Sequence, residues 1–199
     1  MNDQIGTTDQ LRRQRILDGA AKVLLTYGFQ RTTMDDIAKA ADMSRPALYL
    51  LFRNKTDIYQ ALAQSYFDAA VSNARDVLAG SGPLEERLNA MLEASIFAMM
   101  DEFTRSPHGH EILDMKKQLA GEIMTDWKET MTGLVAEAID RTAAAKGVDL
   151  KARGHTATIL ANLFWDAIEG MKARLETVDE QRAASRSVVR VVASAVESN

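Results

Sequence analysis

Residues 32–55 read TTMDDIAKAADMSRPALYLLFRNK, and this stretch decides the fold. Its pattern predicts two short helices joined by a tight turn. Thr33 stands as N-cap of the first, its hydroxyl placed to accept from a first-turn backbone N–H. Asp35 and Asp36 follow in the turn where the helix dipole favours carboxylates. Met34, Ile37, Ala38 and Ala41 recur at helical spacing and form one apolar stripe. The turn itself is Asp42-Met43-Ser44. Asp42 occupies a place that calls for left-handed backbone, which Gly adopts most easily and Asp tolerates better than most residues. Met43 plugs the gap between the helices. Ser44 caps the second helix, and Pro46 suits its first turn, where no N–H is needed. Leu48 and Phe52, four apart, face inward, which leaves Arg45, Ala47, Tyr49 and Leu50 outward.

The outward set has the chemistry of a helix laid in the major groove of DNA. An arginine at 45 can fork onto the O6/N7 edge of guanine, and Ala47 allows close approach and contact with a thymine methyl. The Tyr49 hydroxyl can reach a phosphate. Thr33, Ser44, Lys55 and the N–H groups at the two helix starts would fix the protein on the backbone. A generic helical hairpin with a solvated polar face is the competing reading of the same spacing.

Outward from this stretch, the preceding residues predict a helix from about Gln10 to Thr26, with Ile16, Ala20, Val23, Leu24 and Tyr27 on one face and Gly28 as its C-cap. Residues 1–9 are polar and expected to be disordered. A long helix is expected from about residue 55 to Leu78, and Ala79-Gly80-Ser81-Gly82-Pro83 breaks it. That break lacks the Lys-Ser/Thr of a P-loop and reads as a linker. Further helices are predicted at 84–104, 109–120, 121–146, 152–176 and 180–197, and the whole chain reads as all-α. Ala, Leu, Met, Glu, Lys and Arg dominate and only three of 199 residues are proline, a mixture that favours helix throughout.

There is no cysteine, which excludes disulfides and thiolate zinc sites and fits a reducing cytoplasm. No stretch approaches a bilayer span, and the first residues lack a signal-peptide pattern, so a soluble, cytoplasmic protein with no membrane partner is expected. The net charge of −4 is unevenly spread: residues 1–60 hold nine Lys/Arg against seven Asp/Glu, and the remainder is acidic. The basic end is the one with the DNA-binding pattern.

The middle helices carry large soft side chains. Phe67, Met99, Phe103, Ile112, Met115, Met124, Trp127, Phe164 and Trp165 could line a pocket for an apolar or amphipathic small molecule, or could be core. His108-Gly109-His110-Glu111 has the wrong spacing and setting for a helical zinc pair, and no metal or cofactor is expected. No nucleophile elbow or carboxylate pair stands out, so an enzyme is not expected. The last two helices present broad apolar faces, Leu160, Leu163, Ala167, Ile168 and Met171 on one and Val188, Val189, Val192 and Val196 on the other.

From about Gln10 to Phe67 the chain resembles the N-terminal domain of the tetracycline-repressor (TetR) family. The resemblance rests on RILDGAAKVLLTYGF, TTMDDIAKAADMS and ALYLLFRNKTDIYQAL. It implies a DNA-binding domain over residues 1–54 and a helical ligand-binding and dimerisation domain over 55–199. It implies too that the last two helices pair with their copies in a homodimer, and that the second domain binds an effector. A two-fold dimer would let one short helix per subunit read each half of a palindrome. The function expected is a sequence-specific regulator, a repressor released from a double-stranded DNA operator by a small molecule. The alternative is a helical small-molecule-binding or scaffold protein that uses the helix-turn-helix for protein contact. The chain departs from the family at Asp42, where Gly is common, and at Leu50 and Leu51, where an aromatic or His is common. Leu50 cannot donate to a phosphate; a thymine methyl or a sugar is its expected neighbour.

Overall fold

The computed structural model describes residues 2–196, and among these all regular structure is helical. The helices are α1 (Asn2–Tyr27), α2 (Met34–Ala40), α3 (Arg45–Tyr49), α4 (Lys55–Ala79), α5 (Leu84–Leu92), α6 (Ala98–Thr104), α7 (Gly109–Leu119), α8 (Gly121–Ala145), α9 (Ala157–Arg174) and α10 (Val178–Ser194). The all-α expectation holds. Residues 2–9, expected to be disordered, instead extend α1 toward the N-terminus. The helix expected over 84–104 is one run interrupted by a π-helical turn at Glu93–Phe97 that joins α5 to α6. None of the described helices is long and apolar enough to cross a membrane.

Two compact units result, Met1–Phe67 with Glu102–Met124, and Asp68–Asp101 with Thr125–Asn199. These structural units differ from the division expected at 54/55: the continuous helix α4 contributes to both, and residues 102–124 group with the N-terminal one.

In the first unit, Ile16, Leu24, Ile37, Leu48 and Ile58 are fully buried. Tyr27, placed by periodicity on the apolar face of α1, is exposed, since it is the last residue before the Gly28 cap. Gly28 takes a φ of +81° and its N–H donates to the Leu24 carbonyl at 2.8 Å, as expected of a C-cap. Residues 102–124 are fastened to this unit by polar groups. Tyr59 donates to the Ile112 carbonyl at 2.7 Å, and Gln60 to that of Leu119 at 2.8 Å. The Ser106 hydroxyl donates to the Leu25 carbonyl. Glu111 accepts the Gln30 N–H at 3.3 Å and pairs with His108 at 3.2 Å. Gly109 is required here: a Cβ would fall 1.7 Å from the Phe103 carbonyl oxygen. The histidine-rich stretch is thus helix punctuation.

In the second unit, α10 packs on α9 and α5. Leu88, Met91, Met131, Val135, Ile139, Phe164 and Val189 are fully buried there. The C-terminal end of α4 is held by Arg87 and Arg141, which both donate to the Leu78 carbonyl at 2.8 and 3.0 Å. Arg182 ties α10 to the π turn and α6: it donates to Glu93 at 2.9 Å and to Asp101 at 2.7 Å, with its guanidinium 5.1 Å from the Phe97 ring centre.

Candidate DNA-reading surface

The helix-turn-helix is built from the predicted parts. Thr33 forms a capping box with Asp36: its hydroxyl accepts the Asp36 N–H at 3.2 Å while the Asp36 carboxylate accepts the Thr33 N–H at 2.9 Å. The Thr33 hydroxyl, which donates to the Asp36 carboxylate at 2.6 Å, and then the Thr33 N–H hold that carboxyl below its ordinary range. Asp42 adopts a φ of +51° and is the only non-glycine with positive φ among the described residues. The Ser44 hydroxyl accepts the Ala47 N–H at 3.3 Å, and Pro46 lies in the first turn of α3. Arg15 of α1 donates to the Ala41 and Asp42 carbonyls at 3.2 and 3.1 Å, which braces the turn from behind.

Leu48 and Phe52 point inward, at 0% and 4% exposure. The turn of helix continues past Tyr49, because the Leu50 N–H donates to Pro46 and the Phe52 N–H to Leu48. Arg45, Pro46, Tyr49 and Leu50 are exposed and Ala47 is half-buried. The Arg45 guanidinium lies 5.6 Å from the Tyr49 ring centre, a stacked pair along one edge of the face.

Two residues expected on phosphates have internal work instead. The Thr33 hydroxyl donates its proton to Asp36 at 2.6 Å. The Lys55 ammonium donates to the Phe29 and Thr32 carbonyls at 2.5 and 2.8 Å and lies 4.3 Å from the Phe29 ring centre. Burial holds its pKa below the ordinary lysine range. Lys55 therefore clamps the connection between α1 and α2. Sequence reasoning missed this because the carbonyls it satisfies become neighbours only in the folded unit. It also missed Arg13, whose guanidinium stacks 4.5 Å from the Phe52 ring centre.

The residues proposed as pocket lining fall into both units. Phe67, Phe103 and Ile112 are buried in the first, where Met115 and Met124 are half-buried. In the second, Trp127, Phe164 and Trp165 form an edge-to-face cluster with ring centres 5.9 and 5.1 Å apart, and Met99 is half-buried. Trp165 is 2% exposed and its indole N–H has no acceptor among the described residues.

The apolar faces of α9 and α10 divide. Leu160, Ile168, Met171, Val189, Val192 and Val196, expected at a dimer interface, are buried within the chain itself and contribute to its core. The periodicity that singled them out marks apolar faces without saying which neighbour covers them. Leu163 remains exposed and Ala167 and Val188 half-exposed. With them stand Ile159 at 47% and Val191 at 71% exposure. Ile159, Leu163 and Ala167 make one outward stripe, and Ala184, Val188, Val191 and Ala195 make another at helical spacing. That spacing was visible in the sequence, but the adjoining buried stripe masked it.

A capped two-helix pair with a buried anchor and an open polar and apolar outer face defines a helix-turn-helix DNA-binding protein. Comparison with known proteins agrees. The family described as "Bacterial regulatory proteins, tetR family" matches residues 16–62. The HTH-type transcriptional activator FasR of Mycolicibacterium smegmatis is 36% identical over 83 residues, which cover 42% of this chain and 38% of FasR. The HTH-type transcriptional repressor Rv1474c of Mycobacterium tuberculosis is 27% identical over 183 residues, covering 87% of this chain and 88% of that one. A TetR/AcrR-family regulator from Thermobifida fusca shares the fold with a TM-score of 0.68 at 19% identity, over 92% of this chain and 96% of the other. Residues 16–62 thus match the DNA-binding domain of the TetR family, the chain spans 38% of the length of FasR, and the relatives it resembles are transcriptional regulators.

Proposed function

We propose that this regulator is a homodimeric repressor that holds a palindromic operator and is released by a small molecule. The observation that carries the DNA contact is the surface of α3, which exposes Arg45, Pro46, Tyr49 and Leu50 over a buried Leu48 and Phe52. Arg45 reads a guanine edge, Ala47 permits close approach, and Tyr49 and Ser44 meet phosphates. Thr33 and Lys55 act indirectly, through the cap of α2 and the clamp on the connection before it. The outward stripes of α9 and α10 support dimerisation, because exposed apolar rows at helical spacing on two neighbouring helices pair with their own copies in a four-helix bundle. The Trp127, Phe164 and Trp165 cluster supports an effector with an apolar body and a hydrogen-bond acceptor for the Trp165 N–H. The effector shifts the dimer only as far as it binds the released conformation better than the DNA-bound one. The repressor named Rv1474c favours repression, though FasR is an activator.

The test is selection of bound sequences from a random-duplex pool at fixed, near-physiological salt. A recovered palindrome supports the reading, and Arg45→Ala should then weaken the selected site by ~1–3 kcal/mol relative to random DNA. Equal losses on both would remove Arg45 as a base reader.

A further inference from the structure

The reading face of α3 has an apolar centre. With about 100° between successive residues, Leu50 lies about 160° round the helix from both Leu48 and Phe52, the two buried anchors. It is therefore the side chain aimed most directly away from the body of the unit. Its exposure of 86% is the highest of the large apolar residues among those described, against 43% for Tyr49. Pro46, one turn earlier and also exposed, continues the apolar centre. The stacked Arg45 and Tyr49 lie to one side of this row and Ala47 to the other.

A leucine has no donor or acceptor, so it contributes to a groove only where it displaces water from another apolar group. In the major groove the base edges present one such group, the C5 methyl of thymine. A sugar is the other apolar surface on a DNA strand, but it borders the groove, whereas Leu50 occupies the middle of the inserted face. We propose that Leu50 reads a thymine methyl in each half-site and is a specificity-determining residue of this regulator. The inference rests on the DNA-reading role proposed for α3. It places a required T·A pair in each half-site, under the middle of the reading face.

The experiment uses the full-length dimer and the duplex recovered by selection, resynthesised with one thymidine at a time replaced by deoxyuridine. That base lacks only the C5 methyl. Fluorescence anisotropy at constant salt gives the affinities of the wild type and Leu50→Ala; since the side chain is exposed, the variant keeps its fold, which circular dichroism checks. One thymidine per half-site should lose about fourfold in affinity for the wild type on replacement, the loss expected for one buried methyl. Both half-sites together should lose about fifteenfold. Leu50→Ala should bind the thymidine duplex more weakly and be indifferent to the replacement. If deoxyuridine is tolerated at every position, or costs Leu50→Ala as much as the wild type, the methyl contact is refuted. A Leu50→Ala loss of equal size on every sequence would assign the side chain to a sugar and also refutes it. Failure to enrich any sequence at all is a different result: it overturns the DNA-reading role itself, and this inference with it.

Discussion

Alanine at Gly19 is expected to destabilise the protein, against its helix propensity. Gly19 is buried in the interior of α1, where alanine is favoured over glycine by about 0.8–1.0 kcal/mol. Its missing side chain faces α2, however, and a Cβ built there would lie 2.9 Å from Ala40 C and 2.9 Å from Ala41 N. Both neighbours are backbone atoms at the end of α2, beside the turn that Arg15 braces, and neither can rotate aside. Relief requires α1 and α2 to move apart, which loosens the packing around Ile16, Ala20 and Ile37. Overpacking of this kind costs about 1–3 kcal/mol, with backbone neighbours toward the upper end. The net loss is about 1–2 kcal/mol, which for a chain of this size lowers the thermal midpoint by roughly 2–8 °C. Urea unfolding followed by circular dichroism measures it. Gly133→Ala serves as the control: it lies in α8 with nothing within 4 Å of its Cβ position, so only the propensity gain remains and the midpoint should rise. If Gly19→Ala raised the midpoint as Gly133→Ala does, the close approach of α1 and α2 would be wrong.

Other positions are open to similar tests. Asp42→Gly should be neutral or stabilising and Asp42→Val should lose about 1–3 kcal/mol in the same unfolding assay, because valine resists the left-handed backbone at φ +51°. Burial pushes the Tyr59 hydroxyl up to about 12. The folded state holds that proton more tightly than the unfolded state, so the contribution is whole below about pH 10 and is lost as pH rises through the folded value. Stability measured between pH 9 and 12 (roughly the titration window of buried tyrosine) should fall with a smaller slope in Tyr59→Phe. Lys55→Met should lower the thermal midpoint and leave the salt dependence of DNA binding unchanged. A slope reduced by about one would show instead that its ammonium sits on a phosphate.

Local chemistry made much of this protein legible. Thr33, Asp36, Ser44 and Pro46 announce two helix starts, Asp42 announces a left-handed turn, and Gly28 announces a helix end, because each depends on backbone groups within four residues. Leu48 and Phe52 are set inward by the 3.6-residue period alone. The helical runs after Pro83 follow from the same period and from where Pro and Gly interrupt it. What the period could not say is which neighbour meets each apolar face. Val189 and Val192 face core while Val188 and Val191 face out, and only the packing of α10 on α9 and α5 separates them. Lys55 looked like a phosphate ligand because a lysine beside a basic cluster is one by habit; its carbonyl partners Phe29 and Thr32 lie more than twenty residues away. Nothing in the local pattern of α1 singles out Gly19, whose place is set by the backbone of Ala40 and Ala41. Backbone capping and periodicity are written in short windows of sequence. Burial, clamps and close approaches belong to residues distant in the chain, and the tertiary structure alone brings them together.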